Sequence, residues 1–370
     1  MPPVATASTL GNLGVAVMNE KLLHEHDLHE MDALYRRLLN RTRPAPPVSA
    51  AARLSALPPP EDAVDRVSRL PDAVLCHIVS ILPVKDAVRT ATLSHRWRGV
   101  WRSAPLVLVD ADLAPATSAL SRVLEEHPGP FRCVHLIKSC REEFHGLLTC
   151  WIELLAAKGI LELVILDQWD PPFNAVLPST LFGMATLTRL HLGSWKFLDT
   201  AGLPRSASFP KLRQLGLCNI LVESRDLDFI LDRSPVLETL SVEGWTHDSS
   251  RTKVKIGHAP KLRLLAYLDL DPGNQVLEVG NTIIKAGIRV SPRTMVPSVR
   301  ILALEVLFGV RNDAKMIPNV LRCFPNVEML HIKSGKPDQS TGKLNLKFWH
   351  ESGTIECIRS RIKLLVFHDL

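Results

Sequence analysis

The chain has no apolar run near the ~20 residues needed to cross a bilayer. Its first residues lack the basic start and apolar stretch of a secretory signal, and Glu20, Glu25, Asp27, Glu30 and Asp32 put too much acid there for a transit peptide. Aromatic residues make up only 5% of the chain, and tyrosine occurs twice. No Gly-x-Gly-x-x-Gly, phosphate-binding loop or Gly-x-Ser-x-Gly elbow is present, which removes the common signatures of nucleotide and acyl-transfer enzymes. Seven cysteines (76, 133, 140, 150, 218, 323 and 357) include no Cys-x-x-Cys pair. Their odd number and wide spacing favour reduced thiols, in the cytosol or nucleus, over a disulfide framework or a zinc site. Lys and Arg total 44 against 38 Asp and Glu, a formal charge of +6. That excess is spread along 370 residues and does not point to nucleic acid, which attracts a concentrated basic stripe.

Residues 1–63 read as an extension: one possible helix over 17–40, then a Pro- and Ala-rich linker over 41–63. His24, His26, His29 and Glu30 form a cluster, but their spacing is not His-Glu-x-x-His, and a solvated helix face explains them better than a metal site with its defined four-ligand set. His145 lies near Cys140 and Cys150 without an orienting third group, so buried thiols are the simpler reading. The expectation is a chain without cofactor, metal or catalytic residues.

Residues 64–104 are the most informative stretch. Pro71 suits a first helical position and Asp72 the positive end of the helix dipole. Leu75, Ile78, Val79 and Leu82 then form one apolar face, and Pro83 ends the helix. Asp86 is read as the cap of a second helix, and Ser94 as the cap of a third carrying Trp97 and Trp101. So small a module buries too little surface to stand alone. The opening Leu70-Pro71, the Leu75/Ile78/Leu82 stripe, the Val84-Lys85-Asp86-Ala87-Val88 turn and the Leu93-Ser94…Trp97…Trp101 ending resemble the F-box, in its plant spelling. The resemblance implies docking on a Skp-family adaptor, and through it a cullin, by Leu70, Pro71, Leu75, Ile78, Leu82, Val88, Leu93, Trp97 and Trp101.

Beyond residue 104 a pattern L-x-x-L-x-L-x-x-φ recurs, φ being large and apolar. It reads as Leu161/Val164/Leu166/Trp169, Leu187/Leu190/Leu192/Trp195, Leu212/Leu215/Leu217/Ile220, Leu237/Leu240/Val242/Trp245 and Leu262/Leu265/Tyr267/Leu270. Later copies begin at Val299, Val327 and Ile362, and Phe131/Val134/Leu136 is a plausible earlier one. The first five starts are 26, 25, 25 and 25 residues apart, inside the roughly 20–29-residue period of leucine-rich repeats. The residues between copies include an amphipathic helix at 226–234. The expected fold is therefore an α/β repeat, an irregular leucine-rich-repeat solenoid over 105–340, preceded by a small all-α three-helix module. The asparagine usual after each strand is missing from most copies.

Period-2 alternation points Ile165, Asp167, Arg189, His191, Gln214, Ser241, Glu243 and Leu268 away from the core, as the expected target-binding residues. The apolar members mark a contact patch. Trp169, Trp195 and Trp245 recur at one repeat position, which favours packing over an aromatic cage. Residues 341–370, with Phe348-Trp349, Glu356-Cys357 and Lys363, resemble the opening of the FBD region that follows the repeats in many plant F-box proteins, and read as a shortened copy. Together the resemblances imply a non-catalytic substrate receptor of a Skp–cullin–F-box ubiquitin ligase that recruits an unidentified protein, with no nucleic acid or membrane partner. The alternative is a repeat scaffold that keeps the F-box but acts outside ubiquitination.

Overall fold

The computed structural model describes residues 66–113, 116–137, 145–166, 176–204, 206–218, 220, 222–243, 252–257, 259–269, 275–285, 291–334 and 352–368. The expected helix at 17–40, the Pro-rich linker, the histidine cluster, Cys140, Asp167, Trp169, Trp245 and Phe348-Trp349 lie outside the described residues. No helix among the described residues is long and apolar enough to cross a membrane.

Among the described residues three short helices come first: α1 (Asp72–Ile81), α2 (Val84–Thr90) and α3 (His95–Ser103). Pro71 and Pro83 are the N-caps of α1 and α2 with extended backbone, so each proline stands one position outside its helix rather than at its first residue. Asp86 does not cap α2. It sits in the first turn and accepts a hydrogen bond from Arg89, 2.9 Å. Ser94 does cap α3, its hydroxyl accepting from the Trp97 amide at 3.3 Å.

The chain then enters a parallel sheet: β1 (Leu106–Val109), β2 (Phe131–Leu136), β3 (Glu162–Leu166), β4 (Arg189–Gly193), β5 (Gln214–Cys218), β6 (Thr239–Glu243), β8 (Leu264–Asp269), β11 (Ile301–Glu305), β12 (Met329–Lys333) and β13 (Leu364–His368). They are hydrogen-bonded in that order, forming ten strands. Between them run α4 (Ala116–Glu126), α5 (His145–Lys158), α6 (Ser224–Asp232), α7 (Arg311–Cys323), α8 (Glu356–Ser360) and several 3-10 turns. The periodic pattern at 226–234 is thus a helix, α6, with Leu227 and Ile230 buried.

After β6 the second layer changes character. Strands β7 (Thr252–Ile256), β9 (Gln275–Val279) and β10 (Thr282–Ile283) make a separate three-stranded sheet. Lys255 pairs with Glu278 across β7 and β9, 3.5 Å between charges. The β9–β10 hairpin accounts for the wide gap between the copies starting at Leu262 and Val299.

A single apolar core runs through both parts, from Leu75 and Trp97 to Leu330, Ile332 and Cys357. Leu163, Leu190, Leu215, Leu240, Leu265, Leu302 and Leu330 stack strand by strand in one row of it. Stacking is what makes each strand stable, because a single two-layer unit cannot bury its own apolar face. At the end of the sheet Leu364, Leu365 and Phe367 of β13 are 44–48% exposed.

Two readings of register need correction. In the strand at 160–166 the core residues are Ile160, Leu163 and Ile165, all 0% exposed, not Leu161, Val164 and Leu166. Ile165 therefore faces the core. In β8 the pairing with β11 shifts between Leu302 and Leu304, so Leu268 opposite Leu304 points inward, 1% exposed. The irregularity adds one residue to β8, and one extra residue reverses the facing of all that follow.

Candidate functional site

Two surfaces stand out. The first is built by the three helices. Arg96 of α3 reaches back to Asp72, with Nε–Oδ1 2.8 Å, and donates to the carbonyls of Ser68 and Leu70. The opening Leu-Pro segment is thereby fixed against α3. Leu75, Val79, Val84, Ala87, Trp97 and Val100 fill the interior of the module. Leu75 (0%) and Trp97 (6%) are thus core residues, not contacts open to a partner. Their positions follow from the helical period: the stripe that looked like a docking face is the one the three helices need for each other.

The apolar surface that remains is different. Val67 (51%), Val74 (41%), Val88 (43%) and Leu93 (65%) are exposed, with Pro71 exposed and Leu70, Ile78 and Leu82 half-buried beside them. Val67 and Val74 had no strong periodic signal, since each adjoins the stripe rather than belonging to it. Val88 lines a shallow groove between α2 and α4 with Leu113, Ala119 and Val123.

The module is joined to the array by specific contacts. Pro83 bridges to Val107 of β1. Half-buried Trp101 packs on His127 with the ring planes tilted by 54° and centroids 4.8 Å apart, and His127 meets Phe131 edge-on at 5.3 Å. His127 Nε2 is 3.2 Å from the Ala104 carbonyl. Lys158 donates to the carbonyls of Leu124 (2.6 Å) and His127 and lies over the Phe131 ring. Burial pushes the His127 pKa below its ordinary value, the Ala104 hydrogen bond opposing and Lys158 adding to the effect.

The second surface is the outer face of the long sheet, opposite the core. One row runs Glu162, Arg189, Gln214 and Thr239. Arg189 donates to Glu162 Oε2 (2.9 Å) and to Gln214 Oε1 (2.7 Å), tying three strands together. The next row runs His135, Val164, His191, Gly216 and Ser241. Neighbouring strands are only ~4.8 Å apart, and two glycines make room for larger neighbours. A Cβ on Gly216 would lie 2.1 Å from His191 Nδ1, and one on Gly193 2.4 Å from Leu166 Cδ2. Further along, Glu305 and Lys333 form an ion pair at 2.9 Å.

Arg189, His191, Gln214 and Ser241 thus lie on the outer face, and Glu243 is the last residue of β6. Val164 (1%), Leu166 (5%), His135 (0%) and His191 (9%) are covered even on that side, so His191 is not an open contact residue as expected. The expected apolar contact patch at Ile165 and Leu268 does not exist. Trp195 is packed inside, 1% exposed. Burial pushes the Cys133 and Cys323 thiols up to about 12, with the Glu162 charge adding to the effect at Cys133, and raises that of Cys357. Such thiols stay protonated and unreactive.

Residues 67–108 match the F-box domain, and residues 148–248 and 242–332 match the leucine-rich repeats of FBD-associated F-box proteins of the At5g56370 type. The chain belongs to that family. Among relatives of this F-box/leucine-rich-repeat protein, F-box/LRR-repeat protein 13 of Arabidopsis thaliana is 30% identical over 57% of the chain and 48% of its own length. F-box/LRR-repeat protein At3g26922 from the same plant is 32% identical over 48% of the chain and 59% of its own length. F-box/FBD/LRR-repeat protein At1g78750, also from A. thaliana, is 27% identical over 48% and 42%. The chain spans about half the length of the curated relatives it matches.

Sequence reasoning missed β1, whose Leu106-Val-Leu-Val109 run after Pro105 was a usable signal. It also missed three buried aspartates. Asp110 accepts from the Ile137 amide at 2.8 Å, Asp226 from the Thr200 amide (2.9 Å) and hydroxyl (2.6 Å), and Asp313 from the Leu307 amide at 3.4 Å. Each anchors main chain beyond a strand, a role that no local pattern announces.

Proposed function

We propose that this protein is a non-catalytic substrate receptor of a Skp–cullin–F-box ubiquitin ligase, acting in the nucleus or cytosol. The observation that carries the reading is the joining of two unlike surfaces on one core. The F-box helices leave Val67, Pro71, Val74, Val88 and Leu93 uncovered, while the outer face of the array's sheet carries the half-buried polar row Glu162, Arg189, Gln214 and Thr239. An apolar surface of that kind suits an obligate partner, here a Skp-family adaptor and through it a cullin. A repeat sheet offers the extended surface on which a protein target docks. The receptor supplies proximity rather than chemistry, raising the effective concentration of target near the ubiquitin donor.

Affinity purification from plant cells, with and without proteasome inhibition, tests this. The expected result is co-recovery of adaptor and cullin, plus proteins that accumulate on the receptor when degradation is blocked. Recovery of repeat-bound proteins without adaptor or cullin would instead make it a scaffold outside ubiquitination.

A further inference from the structure

In the ten-stranded sheet, the residue preceding each strand from β5 onward faces solvent or is half-buried, and these residues form one row. They are Arg213, Glu238, Arg263, Arg300, Glu328 and Lys363. Main-chain bonds hold the row in register. Each amide from Glu238 to Lys363 donates to the carbonyl of the preceding member, every bond 2.8 Å. With one step per strand, the row extends about 24 Å along one edge of the sheet.

Two positions upstream stand Lys211, Lys261 and Arg361, all exposed. Lys211 and Arg213 flank buried Leu212, and Lys261 and Arg263 flank buried Leu262, in two identical Pro-Lys-Leu-Arg turns. Seven cations thus meet two carboxylates, leaving five positive charges on one rim of a chain whose formal total is +6. The two carboxylates are already engaged: Glu238 by Arg213 at 2.6 Å, and Glu328 by Lys363 at 2.7 Å and Arg300 at 3.5 Å. The Lys363 hydrogen bond, then its charge, holds the Glu328 carboxyl below the usual range. Lys211, Lys261 and Arg263 have no ion-pair partner among the described residues.

We propose that this rim binds an acidic stretch of the target polypeptide. The proposal rests on the reading of the array as the target-binding part, and it names the chemistry of what is bound. A concentrated positive edge steers and orients an acidic segment and makes its capture salt-dependent. A polypeptide fits better than a nucleic acid. Glu238 and Glu328 interrupt the row and would repel a continuous phosphate backbone, and the row carries no aromatic ring on which bases could stack.

The test is fluorescence anisotropy on the full chain, with a short labelled poly-glutamate peptide as probe and an oligothymidylate of similar length in parallel. The peptide is expected to bind, and binding to weaken as salt rises. The Lys211→Glu/Lys261→Glu/Arg263→Glu variant should lose about tenfold or more in affinity. The Arg122→Glu/Lys196→Glu/Arg293→Glu variant makes the same charge change at exposed sites away from the rim, and should stay within about twofold. Undetectable peptide binding, equal loss in both variants, or tighter oligothymidylate binding through the same three residues would each overturn the proposal. Adaptor binding by the same preparations separates the two readings. The rim variant keeps it if only the rim is disturbed, whereas its absence from the unaltered chain would fail the receptor reading instead.

Discussion

Leu93→Ala and Leu75→Ala separate contact from core within the same three helices. Leu93 is 65% exposed and Leu75 is fully buried. Burying a whole leucine side chain is worth about 1.5–3 kcal/mol. An adaptor that covers the exposed two-thirds of Leu93 therefore gains about 1–2 kcal/mol from it, or roughly 5- to 30-fold in Kd. Because that surface is open in the free chain, Leu93→Ala should change unfolding stability by no more than about 0.5 kcal/mol. Leu75→Ala removes atoms from a packed interior and should cost about 2–5 kcal/mol. Titration calorimetry with a purified Skp-family adaptor gives the first quantity, and chemical denaturation gives the second. The reasoning is refuted if Leu93→Ala binds the adaptor as the unaltered chain does, or if it destabilises the fold as much as Leu75→Ala.

Ile165→Ala and Leu268→Ala should each lower stability by about 2–5 kcal/mol, because both side chains are core; a loss of under about 0.5 kcal/mol in unfolding free energy, read by chemical denaturation, would restore them to the surface. Asp226→Ala leaves the Thr200 amide without its acceptor in the interior and should cost about 1–3 kcal/mol, read by the same assay. His127 makes a pH prediction. Its folded pKa lies below the unfolded value of about 6.5, so the unfolded chain takes up a proton that the folded chain refuses. Stability is then full above about pH 6.5 and falls as pH drops below it, until the folded pKa is passed. Thermal unfolding from pH 7.5 to 5 should show a steeper loss in the unaltered chain than in His127→Asn, and parallel slopes would count against it.

Where polar or small residues alternate with the large apolar ones, the sequence identified the register, as in β4, β5, β6, β11 and β12. It failed in β3 because Ile160-Leu-Glu-Leu-Val-Ile-Leu166 carries apolar residues in both phases. Val164 and Leu166 are covered as well as Leu163 and Ile165, and a strand buried on both faces reads as a continuous run with no phase to detect. It failed in β8 because an irregularity in the pairing is a property of two strands, not of one sequence. The three-helix module was legible down to the Ser94 cap. Which of its apolar residues face a partner was not, because a periodic stripe marks burial without saying by what. The charged rim was visible only as two Pro-Lys-Leu-Arg repeats, and it took the hydrogen-bonded ladder to align them with Arg300 and Lys363.

The joint between module and array also carries a consequence for the proposed function. A receptor that works by proximity must hold its two surfaces at a fixed separation, since effective concentration falls when the connection is loose. Here no linker intervenes. α3 ends at Ser103 and β1 begins at Leu106, with Ala104 buried between them. Trp101, His127, Phe131 and Lys158 interlock across the junction, and Pro83 pairs with Val107 behind it. The Gly129 position shows how tight this packing is. A Cβ there would lie 2.6 Å from the Arg102 carbonyl and 2.7 Å from His127 Nε2. The F-box helices are therefore packed on the first strands of the sheet, so that the orientation of their exposed apolar surface relative to the outer sheet face is set by the core itself.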